Sequence, residues 1–152
     1  MDLLMPPLSC TGLRTGAVQH EVPESLENYL TVILQMENRH SMARVKDIAR
    51  ELGIKKSSVV GALKKMDAQG LIVCPPYQPI NLTEEGRRLA EYIGWRRGIL
   101  VRFFMTVLHI EAEVAKASAN RIGHGLKDEV IERMRRFMAE TYANLAEPFD
   151  VW

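Results

Sequence analysis

Thiols are scarce in this sequence of 152 residues. The two cysteines, Cys10 and Cys74, lie far apart and lack CxxC spacing, so the sequence predicts neither a disulfide framework nor a thiolate zinc site. No apolar run reaches the roughly 18 residues that a membrane-spanning helix needs, and the N-terminus has no basic segment followed by a long apolar one. We therefore expect a protein of the reducing cytoplasm with no membrane partner.

Signatures of catalysis are also missing. The sequence contains no Gly-rich phosphate loop, no HExxH pair and no GxSxG elbow, and its four histidines are scattered. The net charge is only +1, which by itself argues neither for nor against a nucleic-acid partner. We expect that the protein is not an enzyme.

Apolar residues recur at helical spacing from Pro23 onward and give way to a strand pattern after Gly70. Three helical segments precede Gly70, two short strands flank a turn at residues 75–79, and Thr83 caps a further helix. This is the element order of a winged helix-turn-helix. Beyond Trp95 the chain is helical with few breaks. The predicted fold is mainly α, a winged helix-turn-helix with a two-stranded β wing plus a C-terminal helical dimerisation domain.

Three parts are predicted along the chain. Residues 1–22 contain two prolines and two glycines without a sustained period, and we interpret them as an N-terminal leader or arm. Residues 23–94 form the predicted DNA-binding domain and residues 95–152 the predicted dimerisation domain. The C-terminal helices are too few to enclose a separate core, so we expect them to be buried against a second copy in a homodimer.

Positive charge is concentrated between residues 41 and 65, where seven cations stand against two anions, a local net charge of +5. In a helix-turn-helix the second helix of the pair lies in the major groove of DNA. With Val59, Leu63 and Met66 directed to the core, the opposite face of that helix carries lysines and serine hydroxyls suited to phosphate oxygens. The expected partner is double-stranded DNA.

The expected DNA contacts come from the third helix, from the segments before it and from the wing. Val60 is suited to a thymine methyl group and Gly61 permits close approach, whereas no Arg, Asn or Gln on this face is placed for bidentate base reading. Much of the affinity should therefore be electrostatic. The predicted DNA-binding residues are Arg44, Lys55, Lys56, Ser57, Ser58, Val60, Gly61, Lys64, Lys65, Tyr77 and Gln78.

Several short motifs resemble one known family. They are ARVKDIA at residues 43–49, SSV at 57–59, GLI at 70–72, LTEEG at 82–86 and ANRIGH at 119–124. Together they are similar to the iron- and manganese-dependent repressors, of the diphtheria toxin repressor and manganese transport regulator type. The resemblance covers residues 23–140 and is closest to the short, two-domain form, because no room is left for the SH3-like third domain of longer members.

The resemblance implies a cytoplasmic homodimer that binds a palindromic operator when a divalent transition metal, Mn or Fe, locks the DNA-binding domain against the dimerisation domain. The positions that hold metal ligands in the family are occupied here by Asn28, Thr31, Arg97, Asn120, Gly123 and His124. Of these, only His124 has a competent side chain, whereas a divalent cation needs several converging donors. We expect metal control to be weakened or lost.

A guanidinium stands at one of these positions. Arg97 cannot lose its proton, and its charge would repel a metal placed beside it. We hypothesise that Arg97 replaces the metal, donating hydrogen bonds to Asn28, Thr31, Asn120 or backbone carbonyls and thereby bridging the two domains permanently. On this hypothesis DNA binding would be insensitive to metal.

Some alternatives stay open at this point. The same fold could serve as a winged-helix protein-interaction module without specific DNA binding. His109, Glu111 and Glu113 could form a displaced metal site, since His109 and Glu113 would share a face of a helix, and Cys74 could act as a redox switch. The sequence names neither the operator and the regulated genes, nor the effector, nor whether transcription is repressed or activated.

Overall fold

The computed structural model describes residues 22–142, which form six α-helices and one two-stranded hairpin. The elements are α1 Glu24–Asn38, α2 Val45–Leu52, α3 Lys56–Ala68, β1 Ile72–Val73, β2 Asn81–Leu82, α4 Glu84–Thr106, α5 Ala112–Ile122, a short 3-10 helix at Gly123–Gly125, and α6 Asp128–Thr141. The predicted mainly α architecture with a two-stranded wing is confirmed. None of the helices in this part of the chain combines the length and apolarity that a membrane span requires.

The chain divides into two compact units between Ile93 and Gly94. The described part of the first unit is residues 22–93, and that of the second is residues 94–142. Of the predicted leader only Val22 lies within the described residues, and its side chain is buried in the core of the first unit. The C-terminal end of the predicted dimerisation domain, residues 143–152, also lies outside them.

The first unit is built on the three helices that precede the wing. The second of them, α2, ends at Gly53, whose φ of 64° is the left-handed conformation that glycine adopts without steric cost. The third, α3, begins one residue after Lys55, and no side chain caps its N-terminus. Ser57 and Ser58, whose hydroxyls are typical of helix caps, do not cap this helix, since both lie inside its first turn with exposed side chains.

The wing is a short antiparallel hairpin in which Ile72 pairs with Leu82. One residue before β2, the Ile80 N–H donates to the Ala43 carbonyl at 2.8 Å, which anchors the hairpin to the segment before α2. Thr83 caps α4 as predicted, because its hydroxyl accepts from the Gly86 N–H at 3.0 Å. The same hydroxyl donates to the Gly70 carbonyl at 2.6 Å, so one side chain fixes both ends of the hairpin.

Close packing at Gly86 explains why the LTEEG motif ends in glycine. A Cβ atom at this position would collide with the carbonyl group of Leu71. Only glycine therefore lets the first turn of α4 pack directly on the backbone that leads into β1. The close packing holds the wing against the start of α4.

The second unit has a core of its own. The side chains of Leu100, Ala115, Ala119 and Ile131 are completely buried within it. The prediction that these helices are too few to enclose a separate core is wrong, because buried residues of α4, α5 and α6 form one hydrophobic cluster. Large apolar side chains nevertheless remain exposed on this unit, at Leu108, Val114, Ile122, Val130 and Phe137.

Candidate nucleic-acid interface

The exposed face of α3 lies opposite its buried stripe. At 100° per residue, Ser57, Gly61 and Lys64 point directly away from buried Val59 and Met66. All the residues predicted on and before this helix to contact DNA are exposed, and they are Lys55, Lys56, Ser57, Ser58, Val60, Gly61, Lys64 and Lys65. We call the four lysines of this set the lysine face.

No acidic partner neutralises the lysine face among the described residues. None of its members forms an ion pair with any other residue between positions 22 and 142, and the first turn of α3 contains no acidic residue. Asp67, on the same helix, is the nearest acid along the chain and forms no ion pair with these lysines, whereas Asp47 pairs with Arg50 at 3.0 Å and Glu51 pairs with Arg39 at 3.4 Å. Exposed cations without acidic partners, placed at both ends of α3, are suited to the phosphates of a nucleic acid.

Arg44 places a further cation at the start of α2. It is the N-cap residue of that helix, its side chain is exposed, and its guanidinium lies 3.6 Å from the Met42 sulfur. An open cavity of about 400 Å³ adjoins it. The charged residues that line this cavity are the cations Arg39, Arg44, Lys46 and Arg50 and the acids Asp47 and Glu51, which pair with Arg50 and Arg39.

The tip of the wing is neutral. Tyr77 has a φ of 62° and a fully exposed side chain, and Gln78 beside it is exposed as well. The Gln78 N–H donates to the Pro75 carbonyl at 3.3 Å and closes the turn. Residues 71–83 contain no Lys or Arg, so contacts made by the wing must be neutral hydrogen bonds or apolar contacts.

A carboxylate that sequence reasoning missed fastens the wing to α1. Glu37 accepts a hydrogen bond from the Leu82 N–H at 2.9 Å and another from the Arg87 guanidinium at 2.7 Å. Its side chain is only 15% exposed. The sequence held one signal that Glu37 has a partner. Glu37 lies in the last turn of α1, where the helix dipole disfavours a negative charge unless a partner offsets it.

The positions predicted to replace metal ligands fall in both units. In the first unit, Asn28 is exposed and Thr31 is buried on α1, where the Thr31 hydroxyl donates to the carbonyls of Glu27 at 3.2 Å and Asn28 at 3.1 Å. In the second unit, Asn120 is exposed near the end of α5 and His124 is exposed on the 3-10 helix.

Arg97 and Gly123 are brought together within the second unit. A Cβ atom at Gly123 would lie 3.8 Å from the Arg97 Cγ and 3.3 Å from the Leu100 Cδ1. The aliphatic stem of Arg97 therefore packs beside a position that holds a ligand in the resembled family. Larger side chains at Gly123 would have to displace Leu100.

The neighbouring Arg96, which sequence reasoning missed, makes several polar contacts in this region. Its side chain is 14% exposed, and its guanidinium pairs with the Asp128 carboxylate at 2.6 Å. It also donates to the carbonyls of Gly123, at 2.7 Å, and Leu126. Arg96 thus ties α4 to the turn that carries His124.

The donor set does not fit a divalent metal. Among residues 22–142, no three His, Cys, Asp or Glu side chains lie close enough to one another to hold a metal ion. An exposed imidazole beside glycine and two arginines supplies neither the number of donors nor the negative charge that Mn²⁺ or Fe²⁺ requires. The alternative donors His109, Glu111 and Glu113 do not come close enough to one another to hold a metal ion either.

Comparison with known proteins gives matches over nearly all of the described chain. Residues 21–80 match the family model described as iron dependent repressor, N-terminal DNA binding domain. Residues 83–143 match the model described as iron dependent repressor, metal binding and dimerisation domain. The chain belongs to the iron-dependent repressor family.

Individual proteins that resemble this chain are also described as transcriptional regulators. The transcriptional regulator MntR of Escherichia coli is 31% identical over 114 residues, which cover 75% of this chain and 73% of the relative. An HTH-type transcriptional regulator of Methanocaldococcus jannaschii is 30% identical over 116 residues, which cover 76% of this chain and 93% of the relative.

A solved structure shares the fold. The structure of the manganese regulator SloR superimposes with a TM-score of 0.69 at 24% sequence identity. The match covers 74% of this chain but only 53% of that one, so the chain spans about half the length of SloR. At this identity the likeness establishes the common fold of the iron-dependent repressors and nothing finer.

Proposed function

We propose that this chain is a sequence-specific transcription regulator that binds a palindromic operator as a homodimer, with α3 in the major groove. The lysine face carries the proposal, because it is exposed, it has no acidic partner among the described residues, and it lies on the second helix of a helix-turn-helix. The family's DNA-binding domain supports the same partner. Nothing in the comparisons favours a protein-interaction module.

The remaining predicted contacts have supporting roles. Arg44 and the serine hydroxyls of α3 would hold phosphates and fix the register of the helix on the duplex. Tyr77 and Gln78 would reach the adjacent minor groove without adding charge. We assign DNA binding to residues 23–94 and dimerisation to residues 95–152, and we place the protein in the cytoplasm without a catalytic role.

Dimerisation is supported by two features of the second unit. The family model that matches it is described as a dimerisation domain. Large apolar side chains, among them Val114 at 53% and Phe137 at 45% exposure, remain accessible in the single chain and would be covered by a second copy. A palindromic operator follows from the twofold symmetry of such a dimer.

We further propose that metal control is weakened or lost. The family's second domain is described as metal binding, and Mn or Fe would be the expected ion. In this chain the ligand positions hold two amides, a hydroxyl, a guanidinium and a glycine, and His124 alone cannot form a site. The bridge of Arg97 to Asn28, Thr31 or Asn120 stays a prediction.

Selection of bound duplexes from random DNA tests both proposals. The selection is made with the full chain, once with a chelator and once with Mn²⁺ or Fe²⁺. We expect the same palindromic consensus and equal affinity under both conditions. Failure to bind any duplex would contradict the assignment, and a large gain in affinity with metal would contradict only the loss of metal control.

Variants distinguish the contribution of the lysine face to DNA binding from that of positive charge elsewhere on the protein. Replacing the four lysines of that face together by glutamine should greatly weaken operator binding. The control Lys116→Gln removes one exposed cation from α5 and should leave binding unchanged. Circular dichroism spectra of both variants should match the unmodified protein, because all of these side chains lie on the surface.

A further inference from the structure

We propose that α3 reads its operator through the 5-methyl group of thymine, which Val60 contacts while Gly61 lets the helix backbone approach the base edges. The proposal rests on the DNA-binding function given above and adds the chemistry by which sequence is recognised. Its evidence is the placement of these two residues on the exposed face of a helix that otherwise presents lysines and serines.

The fold itself does not require glycine at position 61. Gly61 lies in the interior of α3, and a Cβ atom there would meet no atom within 4 Å. Relative to alanine, glycine in such a position disfavours the helix by about four- to fivefold in the folding equilibrium. Close approach of an external partner to the helix backbone explains why the smallest residue stands at this point.

Val60 is an exposed apolar residue between two cations. Its side chain is 40% exposed, and Lys56 and Lys64 lie one turn before it and one turn after it on the same face. The two lysines are long enough to reach phosphates while the short valine stays near the helix axis. A partner that offers an apolar group between two rows of negative charge matches this pattern.

The major groove of DNA offers one such group. Each base pair presents hydrogen-bond donors and acceptors there, but only thymine adds a methyl group. The exposed face in the first two turns of α3 carries no Asn, Gln or Arg for bidentate recognition of adenine or guanine. Contact between Val60 and a thymine methyl is therefore the apolar base contact that this face is built to make.

The test removes the methyl group from DNA and the matching methyl groups from the protein. In duplexes recovered by selection with the full chain, each thymine is replaced in turn by deoxyuridine, which lacks only the 5-methyl group. At one thymine in each half-site we expect affinity to fall about fourfold, the loss that accompanies one unburied methyl group. With Val60→Ala, the same replacement should have no effect.

Gly61→Ala provides a second test of the proposal. The added methyl group should raise the midpoint of urea unfolding, because alanine is the better helix former, and should lower operator affinity at least about fivefold through steric overlap with the DNA. Gly98→Ala is the matched control, since Gly98 also lies inside a helix with no atom within 4 Å of its Cβ position. It should stabilise the fold without changing affinity.

The outcomes separate this inference from the function on which it rests. Deoxyuridine sensitivity that persists in Val60→Ala, or a Gly61→Ala variant that binds as well as the unmodified protein, would overturn the methyl-reading model while leaving DNA binding intact. Binding without any selected consensus would overturn it too. Absence of binding to every duplex would instead overturn the proposed function.

Discussion

Removal of the Glu37 carboxylate should loosen the wing. This side chain is the polar link that joins α1 to both β2 and the start of α4, through the Leu82 N–H at 2.9 Å and the Arg87 guanidinium at 2.7 Å. Glu37→Ala breaks both contacts. Glu37→Gln keeps an acceptor for the backbone N–H but removes the charge that holds Arg87.

The two contacts differ in their expected worth. Leu82 is buried, so its N–H without a partner would cost about 1–3 kcal/mol. The ion pair contributes less, about 0.5–1 kcal/mol, because the Arg87 side chain is 39% exposed and water screens the interaction. We expect Glu37→Ala to lower the free energy of unfolding by about 2–3 kcal/mol, and Glu37→Gln to lower it by about 1 kcal/mol or less.

Urea unfolding followed by circular dichroism measures both losses. Arg88→Ala is the control, because Arg88 and its partner Glu84 are 53% and 75% exposed and the pair should contribute less than about 0.5 kcal/mol. The reasoning would be refuted if Glu37→Ala were as stable as the Arg88→Ala control. It would also fail if the glutamine variant were as unstable as the alanine variant, since the loss would then not come from the Leu82 N–H.

Two further predictions concern the second unit. Arg96→Ala should lower the free energy of unfolding, measured in urea, by about 2–4 kcal/mol, because the guanidinium satisfies two backbone carbonyls and one carboxylate. Arg96→Lys should recover only part of this loss. An alanine variant as stable as the unmodified protein would contradict the prediction. The Arg135 guanidinium, hydrogen-bonded to Glu132, lowers the pKa of that carboxyl from 4.5 to about 2. The stability that Glu132 contributes is therefore complete above pH 4.5 and is lost as the pH falls through 2. The difference in melting temperature between the unmodified protein and Glu132→Gln should shrink over that range. A difference that stays constant would refute this prediction.

The periodic parts of the fold could be predicted from sequence. In α3, the spacing of Val59, Leu63 and Met66 identifies the buried stripe and therefore the exposed face. Gly53 and Thr83 act through local geometry, a left-handed helix end and an N-cap, which a few neighbouring residues determine. Such features need no knowledge of the tertiary structure.

Contacts between distant residues could not be predicted in this way. The bonds of Glu37 reach Leu82 and Arg87 across 45 and 50 positions, and those of Arg96 reach the turn after α5, so no local pattern marks the partners. The buried core of the second unit was missed for another reason. Ala115 contributes to it through its small size, which an apolar pattern of large residues does not reveal.

The salt dependence of operator binding tests most directly whether the lysine face holds the DNA. Each lysine that no longer neutralises a phosphate should reduce the slope of log K against log salt concentration by about 0.9. A dimer presents the four lysines twice, so replacing all of them by glutamine should flatten the slope by about 7 if each one binds a phosphate. A slope that stays the same in this variant would contradict the claim that α3 docks on DNA through its lysines.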